Sequence, residues 1–240
     1  MSNYEEFLDA VRNNNYKVVE RITTNKRIPI PVLSDAINIA RNNDYIVRLL
    51  GSKVGAQVNE FLIDAASKGY KKVVDLALNQ GALDVGFAAR AAAKNHQIDM
   101  VKYLESKIKK YYKEKEYVYF YHTILLGAIE GKHLDIVDYA LKQGADKESA
   151  LEAAIHEDNL PAVQYLLDNY EIEPTENSLI AAIAAVDPEI VSLLLKYGAV
   201  PTQKALELAR AERDLAPRKV KAKFNEIIAL LMEYGLVRIK

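Results

Sequence analysis

A short pattern returns along this chain: two small apolar residues, a polar turn, a β-branched pair, then a leucine or tyrosine ladder. It is clearest in AASKGYKKVVDLALNQGA, and the same frame fits AVRNNNYKVV, AAKNHQIDMVKYL, AIEGKHLDIVDYALKQGA, AIHEDNLPAVQYLL and AIAAVDPEIVSLLLKYGA. With the second residue of the β-branched pair as marker, the copies fall at Val19, Val47, Val74, Val101, Val137, Val163, Val191 and Ile228. The steps are 28, 27, 27, 36, 26, 28 and 37 residues. A unit this short cannot bury its own apolar face, so self-similarity at this period confines the chain to a stacked array of about eight units. Two long steps predict inserts near 107–120 and 212–223 in one array spanning 1–240. In the second and last copies the register of the first half stays open.

Each unit predicts a helix, a turn and a second helix, because apolar residues recur at helical spacing: Leu62, Ala65 and Ala66, then Val73, Val74, Leu76 and Ala77. Between the helices stands a residue suited to left-handed backbone, such as Asn14, Gly69, His96 or Asp158. Asp187, Pro188 and Glu189 form a helix start, and Ser149 with Glu152 predicts a capping box. Gly55, Gly81, Gly144, Gly198 and Gly235 predict helix stops, and all seven prolines fall at predicted boundaries. The fold class is therefore all-α.

GKHLDIVDYALKQGAD and SKGYKKVVDLALNQGAL resemble the ankyrin-repeat core, and the likeness covers nearly the whole chain. Ankyrin repeats usually run 33 residues with a β-turn finger and a T-P-L-H opening. Here T-P-L-H is absent and the period is near 27, a shortfall about the size of the finger. The chain thus resembles an ankyrin-like solenoid with most fingers trimmed, similar to the abbreviated repeats of large DNA viruses and intracellular bacteria. The resemblance implies noncatalytic binding of a protein partner, as an adaptor, effector or inhibitor.

In ankyrin proteins the two residues after the small pair face the concave side. The resemblance carries that role to Arg12 and Asn13, Ser67 and Lys68, Lys94 and Asn95, Glu130 and Gly131, His156 and Glu157, and Ala184 and Ala185, with Arg41 joining the row. Such a groove is basic toward its N-terminal end and acidic toward the middle, so a partner of reverse polarity is expected. The plainer alternative is a set of solvated helix faces.

The most unusual stretch, KIKKYYKEKEYVYFYH, gathers Tyr111, Tyr112, Tyr117, Tyr119, Phe120 and Tyr121 among Lys109, Lys110, Lys113 and Lys115. Tyrosines suit interface hot spots because they bury much area at low entropic cost and keep a polar tip. The alternatives are packing, as an elongated second helix and a retained finger whose Tyr117, Tyr119 and Tyr121 alternate as a short strand or hairpin edge, and stacking on single-stranded nucleic acid, which Glu114 and Glu116 oppose. A second basic cluster, Arg213, Arg218, Lys219, Lys221 and Lys223, offers a polyanion the same minor alternative. The last helix carries Ile227, Ile228, Leu230, Leu231 and Met232, then Leu236, Val237 and Ile239. Either the second insert folds over this end, which is favoured, or the span Ile227–Ile239 supports self-association into a structural assembly.

Composition removes further classes. With 32 Lys+Arg against 33 Asp+Glu there is no general attraction to nucleic acid or anionic membrane. No apolar run is long enough to span a bilayer, and MSNYEEFLDA lacks a leader pattern, so neither insertion nor secretion is expected. The absence of cysteine excludes disulfides, thiolate metal sites and cysteine nucleophiles, and fits a cytosolic setting, the host cytosol for a viral or bacterial effector. His96, His122, His133 and His156 occupy different repeats without metal-ligand spacing, and no phosphate loop or nucleophile elbow occurs, so no cofactor, metal or catalytic residue is expected. Tyr103, Tyr139 and Tyr165 sit two residues after their marker valines, which makes them ladder residues at the core edge.

Overall fold

The computed structural model describes residues 4–111 and 114–237, with side chains described except at 110–116 and beyond 235. Among the described residues the chain forms sixteen α-helices, one short 3-10 turn at Gly55–Gln57 and no strand. The helices follow the predicted pairs: α1 (Glu5–Arg12) and α2 (Tyr16–Asn25), α3 (Ile30–Ile39) and α4 (Asp44–Gly51), α5 (Val58–Ser67) and α6 (Lys71–Asn79), α7 (Val85–Lys94) and α8 (Ile98–Tyr111). There follow α9 (Glu114–Gly131) and α10 (Leu134–Lys142), α11 (Lys147–His156) and α12 (Leu160–Asn169), α13 (Glu176–Ala185) and α14 (Pro188–Lys196), and α15 (Gln203–Leu215) and α16 (Arg218–Val237). The fold is the all-α array of helix pairs that the periodicity predicts.

The punctuation works at the predicted places. Asn14, Gly69, His96 and Asp158 hold φ of 54°, 75°, 57° and 50°, so the backbone reverses there in left-handed conformation. The side chains of Asn15, Asn43, Asn159 and Asp187 accept backbone N–H groups at the starts of α2, α4, α12 and α14. Two positions differ. Asp146, rather than Ser149, caps α11, accepting the Ser149 N–H at 2.7 Å. Gly235 lies within α16 and ends nothing, because the helix period of its apolar neighbours carries through it.

The register left open in the second copy is settled by its cap: Asn43 stands four residues before Val47, as Asn159 and Asp187 stand four before Val163 and Val191. The two long steps are lengthened helices. The first falls on the end of α8 and the start of α9; Tyr117, Tyr119 and Tyr121 lie in a helix, not on a strand edge. The second lengthens α15 and α16, with the break at Ala216 and Pro217.

The helices gather into two compact units, residues 1–131 and 132–240. In the first, α1, α3, α5, α7 and α9 pack side by side in that order, and α2 packs on α4. The marker side chains Val19, Val74 and Val101 are fully buried in its core with Phe61, Leu62 and Leu104. In the second, α11, α13 and α15 form the row, with α12 on α14 and α14 on α16. Phe224, Ile227, Ile228 and Leu231 are buried on the inner face of α16, so most of the apolar excess of the last helix is consumed within its own unit. That leaves Met232 as its exposed large apolar side chain; Leu236, Val237 and Ile239 lie outside the described side chains.

Candidate functional site

The residues assigned to the concave row fall on both units, Arg12, Arg41, Lys68, Lys94 and Glu130 on the first and His156 and Glu157 on the second. In the first unit Arg12 ends α1 and is paired with Asp9 at 2.5 Å, while Arg41 lies exposed in the turn after α3. Lys68, just past α5, donates to the Asp35 carboxylate at 2.9 Å and the Pro31 carbonyl at 3.0 Å, and sits 3.1 Å from Asp64. Lys94 at the end of α7 lies 3.2 Å from Glu130 of α9, which also holds Arg90. Lys94 and Glu130 are thus brought together and compensate each other, which weakens the basic-to-acidic gradient expected along the row. His156 and Glu157 are exposed at the end of α11 in the second unit.

The α7–α9 crossing is set by small residues. A Cβ on Gly127 would lie 2.2 Å from the Arg90 carbonyl oxygen, and one on Gly86 would lie 3.7 Å from Thr123 Oγ1. These two approaches, four residues apart on each helix, make the helices parallel and fix their register. Ala88, Ala89, Ala92 and Ala93 are fully buried on α7 and complete a stripe that permits the close approach. Seven residues before Lys94 on the same face stands Phe87, 56% exposed; eleven before Glu130 stands Tyr119, 67% exposed. Leu83 and Val118 beside them are also more than half exposed. The ion-paired face therefore carries large apolar side chains at its N-terminal end.

The Tyr-rich stretch divides by helix face. Phe120 and Tyr121 are 3% and 4% exposed, their rings edge to face at 5.7 Å, and this corrects their assignment as partner-facing residues. The Tyr121 hydroxyl donates to the buried Glu105 carboxylate at 2.7 Å, and Lys109 pairs with the same carboxylate. Tyr117 is half-buried and donates to the Lys109 carbonyl at 3.3 Å. Tyr119 alone of the four presents its ring to solvent; Tyr111 and Tyr112 lie outside the described side chains. Sequence reasoning missed Phe87 and Leu83. The available signal was Phe87 in VGFAARAAAK, one large apolar residue off the period of the small buried ones.

On the second helices, tyrosines and carboxylates of successive repeats join. The Tyr103 hydroxyl donates to Asp75 at 2.6 Å, and Lys107 donates to the same carboxylate at 2.7 Å with its ammonium 4.7 Å from the Tyr103 ring centre. In the second unit Tyr165 and Tyr170 donate to Asp138 at 3.1 and 2.7 Å, and Lys142 lies 2.6 Å from it. Lys142 foremost, then Tyr170, holds the Asp138 carboxyl below its ordinary value, while burial first and Asp138 second push the Tyr170 hydroxyl up. Both shifts keep the tyrosine a donor and the aspartate an acceptor. Asp158 is pushed the other way, chiefly by a hydrogen bond with Asp187 and then by burial, against the opposing pull of Lys223 and Lys132. These bridges are structural, as the ladder spacing implies.

Among the basic residues near the α15–α16 break, Arg213 pairs with Asp214 at 2.9 Å and Lys221 donates to the Asp214 carbonyl at 3.2 Å; Arg218, Lys219 and Lys223 are exposed. Among the described residues no three His, Asp or Glu side chains stand as a metal-ligating group, and no helix is long and apolar enough to cross a membrane.

Compared with known families, residues 89–178 and 125–205 match the model described as ankyrin repeats in three copies. No curated protein matches the chain.

Proposed function

We propose that the chain, of which residues 89–205 match ankyrin repeats, generally protein–protein interaction modules, is a noncatalytic binder whose N-terminal unit seats a protein partner on the first-helix face of α7 and α9. The observation that carries this reading is that Phe87 and Tyr119, each more than half exposed, stand on α7 and α9 at the N-terminal end of the face that carries the Arg90, Lys94 and Glu130 ion pairs. Large rings surrounded by polar groups have the anatomy of an interface anchor and its rim. The chain acts by occupying a surface of its target, as an adaptor, effector or inhibitor does.

The test is affinity capture from lysate with wild type and the Phe87→Ser/Tyr119→Ser variant, read by mass spectrometry and repeated after nuclease treatment. Proteins captured by the wild type and lost in the variant, with helical content unchanged, are the expected result. Capture that survives in the variant overturns the site, and capture abolished by nuclease overturns the partner class in favour of nucleic acid.

A further inference from the structure

A second surface lies at the other end of the same unit, where the turns of the first two repeats meet. Tyr16 opens α2 and Tyr45 stands in the first turn of α4; they are 50% and 54% exposed, with ring centres 6.0 Å apart and planes at 82°. The preceding residues of both turns line an open cleft of about 430 Å³ with Arg12, Asn14, Asn42, Asn43 and Asp44 at its walls. Asn43 Nδ2 donates to Asn14 Oδ1 at 2.9 Å and ties the two turns together. This volume falls within the range that accommodates a bound group.

The charge around the rings is one-sided. Lys17, Arg41 and Arg48 are exposed and, among the described residues, have no ion-pair partner. Lys72, whose ammonium lies 3.4 Å from the Arg41 carbonyl oxygen, adds a fourth cation; Glu20 and Asp44 are the acidic side chains of α2 and α4, and Arg12 on the cleft wall is paired with Asp9. The core of the first repeats does not require these two solvent-facing rings, because Val19 and Ile46 already bury the inner faces of the same helices.

We propose that the Tyr16–Tyr45 pair, its cleft and the cations Lys17, Arg41, Arg48 and Lys72 form a docking surface for an extended acidic segment of a partner protein, with one apolar side chain of that segment seated against the rings. Peptide carboxylates match the guanidinium forks of Arg41 and Arg48. A peptide also spaces its charges freely and so avoids Asp44 and Glu20, which a phosphodiester strand with a charge at every step does not. The edge-to-face geometry further covers one ring face, which removes half of a stacking platform for bases. The observations therefore favour a protein segment over single-stranded nucleic acid. This surface is separate from the Phe87–Tyr119 face.

Fluorescence anisotropy on the full chain tests it, with a labelled short peptide of alternating Glu and Gly around a central Phe, its Lys-for-Glu counterpart, and oligothymidylate of matched length. The acidic peptide is expected to bind in a salt-sensitive manner, at least about tenfold more tightly than either control. Tyr16→Ser/Tyr45→Ser and Arg41→Glu/Arg48→Glu are each expected to weaken it by about tenfold or more with unchanged melting, while Phe87→Ser/Tyr119→Ser leaves it unaltered. No binding of the acidic peptide, equal binding by the basic one, or affinity unchanged in both surface variants overturns the proposal. Tighter binding of oligothymidylate overturns it in favour of nucleic acid.

Discussion

At the level of single residues, the repeat is governed by its turns. Asn14, Gly69, His96 and Asp158 were legible because their side chains tolerate left-handed backbone, whereas Lys132 and Val186 occupy the same position with φ of 62° and 59° and carry no such signal. At Val186 the demand of α13 and α14 to reverse direction overrides a β-branched side chain's aversion to that conformation. Val186→Gly is accordingly expected to raise stability by about 1 kcal/mol, read from urea unfolding. Charge at the turns and ladders gives two pH responses of opposite sign. Asp138 has a folded pKa below its unfolded one, so its stabilisation is present above the ordinary carboxyl value and lost as pH falls through the folded value. Asp158, raised by Asp187, imposes a penalty that is present when both carboxyls are ionised and relieved as pH falls through the raised value. In thermal melts near neutral pH, Asp138→Asn should lower the midpoint and Asp158→Asn should raise it. Both variants should approach wild type once pH falls below the ordinary carboxyl range.

Helices decide what the Tyr-rich stretch becomes. Alternation at Tyr117, Tyr119 and Tyr121 suits a strand, but Phe120, Tyr121, Ile124, Leu125, Ala128 and Ile129 form paired apolar positions every three to four residues, all buried, and that longer pattern wins. That pattern runs on to Ile129, well past the three alternating tyrosines. The α15–α16 enlargement near 212–223 is taken up by the end of α15 and the start of α16, and Phe224, Ile227, Ile228 and Leu231 carry the helix period on after it. By contrast, the exposed Phe87 was hidden because its helix reads as a run of small core residues, and only the Gly127–Arg90 approach reveals which face they bury. That crossing makes a contrast between two glycines. Gly127→Ala should cost about 3 kcal/mol, since its methyl meets backbone that cannot rotate away. Gly86→Ala, which meets Thr123 at ordinary contact distance, should be neutral or stabilising by up to about 1 kcal/mol through helix propensity. Denaturant midpoints of the two variants check both values.

Over the whole molecule, a net charge of −1 conceals an uneven distribution: residues 1–131 hold 19 basic and 15 acidic side chains, and residues 132–240 hold 13 and 18. Both proposed surfaces lie in the basic unit, consistent with acidic partners. The acidic unit ends in α16, whose packing on α14 and α15 closes the last repeat. Removing residues 218–240 is expected to expose that face, lowering the melting temperature and making the mass in light scattering depend on concentration. The eightfold count and the helix pairs were legible from spacing alone, because each repeat repeats its own instructions. The anchors were not, because they depend on which repeat stands beside which. The tyrosine bridges have a different consequence. In the repeat of Val137, Asp138 supplies the acceptor for its successor while Tyr139 stands two residues after the marker, the position Tyr165 holds in the next repeat, so both kinds of residue sit side by side. A tandem duplication of that segment would set the tyrosine of the new copy against the aspartate of the old one. Duplication of another repeat would not, because Asp75 is followed by Leu76 while Tyr103 and Tyr165 follow Lys102 and Gln164.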